Sequence, residues 1–110
     1  MDRFCMLSGL MIPQEKANRE HYCCRHRFPK RIWNNPNNLF WAHYMLNAVK
    51  ADYIPCEWAE MKYELTYNAI NNWRMPDEDR LFLRQALQNW EIWNPDPCTL
   101  CLAKCRSKER

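Results

Sequence analysis

The hydrophobic positions in the middle of the chain repeat with helical spacing. Between residues 57 and 73, apolar side chains fall at steps of three, four, four and four, namely at Trp58, Met61, Leu65, Ala69 and Trp73. This spacing places them on one face of an α-helix. Pro55 precedes the segment, and Asn71 and Asn72 lie near its end. The pattern therefore predicts a helix with one buried face.

A second amphipathic helix is predicted after the sequence MPDED. Pro76 and the three acidic residues that follow it are typical of a helix start, because the first turn has free N-H groups and the positive end of the helix dipole. The predicted buried stripe consists of Leu83, Ala86 or Leu87, Trp90 and Trp93. The segment NPDP is expected to end this helix, and Pro97 to begin a short last helix over CTLCLAKCRSKER.

The first half of the chain is less regular. The apolar run FCMLSGLMIP is too short to cross a membrane and leads into charged residues, so we expect it in the core and not in a signal peptide. The segment HRFPKRIW, residues 26–33, combines β-favouring side chains with a central proline, which predicts an edge strand or an extended loop. The sequence NNPNN then predicts a turn, and residues 39–50 a helix of about three turns.

Composition limits the protein to one modest domain. The chain has 110 residues, enough for a single core, and 26% charged residues with only one glycine argue against disorder. Together with the segments above, this predicts an α+β fold, mostly helical, in a single domain over residues 1–110. Seven cysteines, an odd number without an export signal, argue against a complete disulfide framework and favour the reducing cytoplasm.

The charge of the chain is mildly positive, with a net value of +3. Basic residues concentrate at residues 25–31 and in the tail 104–110, whereas acidic residues concentrate between residues 52 and 96. This distribution is compatible with nucleic-acid binding but does not require it. Solvated charge on an ordinary surface is an equally good interpretation of the composition.

Residues 21–50 contain an ordered set of side chains that resembles the ββα-metal motif of HNH endonucleases. The set consists of His26 and Pro29 in the order H-x-x-P, the run Asn37, Asn38 and Leu39, and then Asn47. In that family a histidine ends a strand, an asparagine lies in the loop, and a histidine or asparagine lies on the following helix. The resemblance implies an HNH-like module at about residues 21–50 and a helical part at about residues 56–108. It also implies a small phage or mobile-element protein in a bacterial or phage-infected cell.

The resemblance further implies metal-dependent cleavage of DNA. His26 is the expected general base, because a histidine pKa near neutrality suits the activation of water. Asn38 is expected to orient the base or the backbone. Asn47, with His43 one helical turn before it, is expected to bind a divalent ion of the Mg, Mn or Ni class. The residues expected to bind the flanking phosphates are Arg25, Arg27, Lys30 and Arg31.

Arg25 departs from the family pattern. The residue before the base is often an acidic residue or a histidine that binds the metal, whereas Arg25 stays protonated and cannot be a ligand. Either another residue completes the site, with His43 as the first candidate and His21 as a weaker one, or the motif is a scaffold without cleavage activity. The alternative function is a small phage-type regulator or inhibitor that binds a protein or nucleic acid through its basic segment and exposed aromatic residues.

The C-terminal cysteines have the spacing of a metal site. The motif C-x-x-C-x-x-x-C consists of Cys98, Cys101 and Cys105. Its first pair has the separation found in zinc sites, and Cys24 or its neighbour Cys23 is the nearest candidate for the fourth ligand of a structural zinc. The other interpretation is a thiol-rich helix face in the core, since free cysteine behaves as a small hydrophobic residue.

Overall fold

The computed structural model describes residues 1–97 and residue 101, and within them the fold is α+β. The described strands are short and the helices hold most of the regular structure, as the sequence predicts. In chain order the elements are β1 (Asp2–Phe4), β2 (Met11–Pro13), β3 (Ala17–His21), α1 (Lys30–Trp33), β4 (Leu39–His43), α2 (Tyr44–Lys50), α3 (Pro55–Asn72) and α4 (Asp77–Asn89). Short 3-10 turns at Gln14–Lys16 and Pro36–Asn38 precede β3 and β4. None of the described helices is both long enough and apolar enough to cross a membrane.

The strands form two separate antiparallel pairs. β1 pairs with β2, with Arg3 opposite Ile12. β3 pairs with β4, and the register extends from Ala17 opposite His43 to His21 opposite Leu39. Because α2 begins at the residue after β4, the second strand pair and α2 are joined without an intervening loop.

The two long helices, α3 and α4, correspond to those that the hydrophobic spacing predicts. On α4, the predicted stripe is buried at Leu83 and Ala86. On α3, Trp58 and Ala69 are buried as predicted, but Trp73 is 41% exposed because the helix ends at the preceding residue. The helical spacing of the apolar residues therefore predicted both helices, but the predicted burial of Trp73 was wrong.

Two predictions for the first half are wrong. Residues 26–33 do not form a strand; a turn leads into α1, which begins directly after Pro29. A proline suits this position because the amides at the start of a helix have no partner within it, and the amides of Ile32 and Trp33 donate to the Pro29 carbonyl oxygen. Residues 39–43 form β4 and not the start of a helix, because their backbone pairs with β3 along its whole length.

The main core includes the apolar run near the N-terminus, as predicted. Cys5, Leu7 and Ile12 belong to the same buried cluster as side chains of α2, α3 and α4. Trp90, which follows α4, is 1% exposed, and its indole Nε1 donates a 2.8 Å hydrogen bond to the Leu7 carbonyl oxygen. A buried indole N-H needs such a partner, so this bond attaches the N-terminal segment to the end of α4.

A smaller apolar cluster lies beneath the loop that joins β3 to β4. Its members are Tyr22, Cys23, Ile32 and Cys101, with Phe28, Phe40 and Cys56 packed against them. The Tyr22 hydroxyl also donates a 3.1 Å hydrogen bond to the Pro97 carbonyl oxygen. The cluster therefore fixes the loop, where most of the predicted site residues lie, against the rest of the chain.

Candidate functional site

An open cleft of about 330 Å³ lies between the end of β3, the loop after it and the end of α2. The side chains that line it are Arg19, Glu20, His21, Cys24, Arg25, His26, Asn47, Ala51 and Asp52. The structure thus brings together His26 and Asn47, which the sequence places 21 positions apart. It adds a carboxylate and a second histidine that the sequence did not assign to the centre of the site.

Glu20 and Asn47 face each other across the junction of β3 and α2. With its nitrogen turned towards Glu20, the Asn47 amide donates to Oε1 at 2.6 Å and to Oε2 at 3.1 Å. In the other orientation the amide oxygen faces both carboxylate oxygens, which is unfavourable unless a cation lies between the three oxygens. The geometry of Glu20 and Asn47 is therefore compatible either with a direct hydrogen bond or with a bound cation.

A lysine compensates part of the charge of Glu20. Lys50, at the end of α2, is fully buried, and its Nζ lies 3.3 Å from Glu20 Oε2. Burial raises the pKa of Glu20 above its ordinary value, and the nearby Lys50 ammonium opposes that rise. A buried carboxylate needs such a partner to stay ionised.

The two histidines that line the cleft, His21 and His26, differ in their surroundings. His21 is the last residue of β3, next in sequence to Glu20, and its half-buried ring meets the edge of Trp33 at 5.8 Å between ring centroids. Burial, and to a lesser extent the charge of Arg25, lower the pKa of His21, which keeps the imidazole neutral and able to accept a proton. His26 lies in the turn that follows and is exposed.

The residues that precede the two histidines in the sequence also distinguish His21 from His26. In the HNH motif that the sequence resembles, the residue directly before the base is often acidic or a histidine; the dipeptide Glu20-His21 has this order, whereas Arg25-His26 does not. The H-x-x-P order formed by His26 and Pro29 predicts His26 instead. The pairing of β3 with β4 is what places Glu20 opposite α2.

Asn38 fastens the loop and is fully buried. Its Oδ1 accepts from the Cys23 amide at 2.7 Å, and its Nδ2 donates to the carbonyl oxygens of Cys23 and Trp33, both at 3.0 Å. The sequence left open whether Asn38 orients the base or the backbone, and in the structure its side chain hydrogen-bonds to the backbone. Asn38 therefore determines the path of the chain directly after His21.

His43 lies outside the cleft. It is the last residue of β4, so it does not share a helix face with Asn47 as predicted. Its Nδ1 accepts from the Met45 amide at 3.1 Å, and its ring stacks on Phe82 with the centroids 3.9 Å apart. Burial lowers the pKa of His43 to about 4, so the ring is neutral near pH 7 and packs in the core.

The four predicted phosphate-binding residues lie in different environments. Arg25 lines the cleft, and Lys30 and Arg31 are exposed on α1. Arg27 instead forms a two-pronged ion pair with Glu57, at 2.9 and 3.2 Å, so its charge is already compensated. Arg19, which the sequence did not single out, also lines the cleft.

The cysteines are arranged differently from the predicted zinc set. Cys23, and not Cys24, lies beside Cys101, with 3.8 Å between the two Sγ atoms, while the Cys24 thiol donates to the Asp52 carbonyl oxygen at 3.2 Å. Cys98 and Cys105 lie outside the described residues. In the part of the chain that the structure describes, no three His, Cys, Asp or Glu side chains are grouped closely enough to hold a metal.

Comparisons with known proteins give no relative for this chain. No protein-family model, no curated protein and no solved structure matches it. The functional interpretation therefore depends on the residues of the cleft and on their geometry.

Proposed function

We propose that this protein is a metal-dependent endonuclease of the HNH, or ββα-metal, kind that cleaves DNA. One observation carries the proposal: Glu20 at the end of β3 and Asn47 on α2 face each other within hydrogen-bond distance, and His21 follows Glu20 directly. In this arrangement β3, β4 and α2 supply the two strands and the helix of the module, and its first strand begins at Ala17 instead of near residue 21.

Each residue of the proposed site has a role that its position supports. His21 accepts the proton of the attacking water, because its ring borders the cleft and its lowered pKa keeps the ring in the neutral form that can take up a proton. Asn38 holds the loop after His21 and so positions the ring indirectly. Glu20 in place of Arg25 supplies an acidic ligand of the kind that the family pattern often has before the base.

The donor set fits a hard divalent ion. Glu20 and Asn47 would hold it, and the exposed carboxylate of Asp52 borders the same cleft. Ions of the Mg and Mn class commonly bind one or two protein carboxylates together with substrate phosphate and water. When bound, such an ion stabilises negative charge on the phosphate and on the leaving oxygen. The wide opening of the cleft leaves room for a phosphodiester backbone beside His21.

A plasmid-nicking assay tests the proposed activity. With the full-length chain and Mg²⁺, Mn²⁺ or Ni²⁺, we expect conversion of supercoiled DNA to the nicked form, and EDTA is expected to abolish it. Mn²⁺ binding, followed by the loss of the free-ion electron paramagnetic resonance signal, gives a readout separate from activity. Glu20→Gln is expected to lose this binding and Asp52→Asn to keep most of it, because Asp52 is exposed. Absence of nicking with all three metals contradicts the proposal.

One observation favours a second candidate, a binding protein without catalysis. The buried Lys50 side chain lies beside Glu20, with its Nζ 3.3 Å from Oε2, and it can satisfy the carboxylate in place of a metal. The module is then a scaffold for a small regulator or inhibitor that contacts DNA or a protein partner. Exposed aromatic side chains on α3, including Tyr67 at 62% exposure, offer a surface for a protein partner. DNA binding without nicking or Mn²⁺ uptake supports this candidate.

The proposal also includes a structural zinc at the small apolar cluster. Zinc-thiolate bonds of about 2.3 Å in a tetrahedral site place two sulfur atoms about 3.8 Å apart, and the Sγ atoms of Cys23 and Cys101 have this separation. Cys56 packs against the same cluster.

Adjacent cysteines provide a matched test of the zinc site. We expect one zinc ion per chain after dialysis, and we expect Cys23→Ser to lose it while Cys24→Ser retains it. The reason is that Cys24 is directed to the Asp52 carbonyl oxygen and not to Cys101. Elemental analysis of the three purified proteins measures the content. Substoichiometric zinc in the wild type leaves the thiols as packing residues.

A further inference from the structure

Three arginines lie over two tryptophan rings beside the cleft. The guanidinium carbon of Arg3 is 4.5 Å and that of Arg19 is 5.0 Å from the centroid of Trp41. The guanidinium carbon of Arg25 is 4.6 Å from the centroid of Trp33. Arg19 and Trp41 are direct partners across the β3 and β4 pair, so the strand register itself produces this contact.

These three arginines differ from Arg27 in their charge environment. Within residues 1–97 and residue 101, none of the three pairs with a carboxylate, whereas Arg27 is neutralised by Glu57. Stacking on an aromatic ring holds a guanidinium in place and leaves its in-plane N-H groups available. Groups of this kind match two phosphate oxygens at once.

The arginines also surround the proposed base. Arg19 and Arg25 line the cleft together with His21, and the ring of Trp33 contacts both Arg25 and His21. Arg3 extends the series away from the cleft through Trp41. A charged surface with this order can hold successive phosphates of a strand on both sides of the reacting one.

We propose that Arg3, Arg19 and Arg25, held by Trp41 and Trp33, form the surface that binds the phosphate backbone of the DNA substrate. This inference depends on the proposed function, because it names the substrate-binding surface of the same cleft. It assigns the electrostatic part of binding to stacked arginines and excludes Arg27 from it. The ligand is a chain of phosphodiesters, which either duplex or single-stranded DNA can supply. Binding measurements with both kinds of probe distinguish between them.

Salt dependence of binding tests this surface directly. Fluorescence anisotropy with labelled duplex and single-stranded DNA, in EDTA so that no cleavage occurs, gives the slope of log affinity against log salt. Each lost phosphate contact lowers the slope by about 0.9 for duplex and about 0.7 for single-stranded DNA. For the triple variant Arg3→Gln, Arg19→Gln, Arg25→Gln, the magnitude of the slope is therefore expected to fall by about 2.7 if duplex DNA is the ligand, or by about 2.1 if single-stranded DNA is the ligand.

A control variant and a conservative variant sharpen the test. Arg27→Gln is expected to leave the slope almost unchanged, because its charge is already paired. Arg19→Lys is expected to keep the slope and weaken binding, because lysine retains the charge but not the planar stacked geometry. Arg19 and Arg27 are both exposed, so both variants should fold. An equal loss of slope in Arg27→Gln and in Arg19→Gln overturns the inference.

The outcome separates this inference from the proposed function. Loss of slope in the triple variant together with absence of nicking in the wild type supports the surface and contradicts the nuclease. Unchanged nicking and an unchanged slope in the triple variant contradict the surface and leave the nuclease in place. Circular dichroism and thermal melting of each variant confirm that a folded protein is compared.

Discussion

His21→Ala is expected to lower metal-dependent DNA nicking by about 100-fold or more, whereas His26→Ala is expected to retain most of it. Both histidines border the cleft, but His21 ends β3 next to Glu20 and has a lowered pKa, whereas His26 is an exposed turn residue. Loss of a positioned general base typically costs two to four orders of magnitude.

Plasmid nicking by the two variants is to be compared under identical Mn²⁺ concentrations. Mn²⁺ uptake by His21→Ala serves as the control, since its two proposed ligands, Glu20 and Asn47, are unchanged. If His26→Ala loses activity and His21→Ala keeps it, the general base is His26, as the H-x-x-P pattern predicts. Retention of activity in both variants removes histidine base catalysis from the mechanism.

Asn38→Ala is expected to lower the free energy of unfolding by about 3 kcal/mol. Asn38 is fully buried and makes three hydrogen bonds, to the amide and carbonyl of Cys23 and to the carbonyl of Trp33. Alanine leaves these backbone groups without their side-chain partner, and each unpaired buried group costs about 1–3 kcal/mol. Relaxation and water entry recover part of that sum, which sets the expected value.

The neighbouring Asn37 is the matched control for this prediction. It is exposed, and Asn37→Ala is expected to change stability by about 0.5 kcal/mol or less. Urea unfolding followed by tryptophan fluorescence measures both variants. A change of similar size in the two shows that the Asn38 bonds do not hold the loop. A large loss only in Asn38→Ala also predicts reduced nicking, because the loop that follows His21 is then misplaced.

The long helices were predictable from the sequence because their signal is local. A stripe at steps of three and four, with Pro55 before α3 and three acidic residues at the start of α4, needs no information from distant parts of the chain. The burial of Leu7 and Ile12 near the N-terminus also followed from composition alone. Trp73 departed most from the pattern, since it lies past the helix end, while Met61, Leu65 and Trp93 are only partly buried.

The strands were not predictable in the same way. Residues 39–43 have side chains that suit either a helix or a strand, and their pairing with β3, whose partner residues lie 18 to 26 positions earlier in the chain, decided between the two. The proline in residues 26–33 indicated a break but not that a short helix follows it. Non-local hydrogen bonds outweighed local preference in residues 39–43, whereas the short helix after Pro29 is held by local hydrogen bonds.

The sequence by itself determined the chemistry available to the site: the asparagines at 38 and 47, the basic surroundings and a histidine near them. The tertiary structure decided which carboxylate faces Asn47. Pairing of β3 with β4 carries Glu20 to Asn47 and stacks Arg19 on Trp41. The physical reason is that strand register sets which side chains meet, and register depends on backbone contacts between segments far apart in the chain.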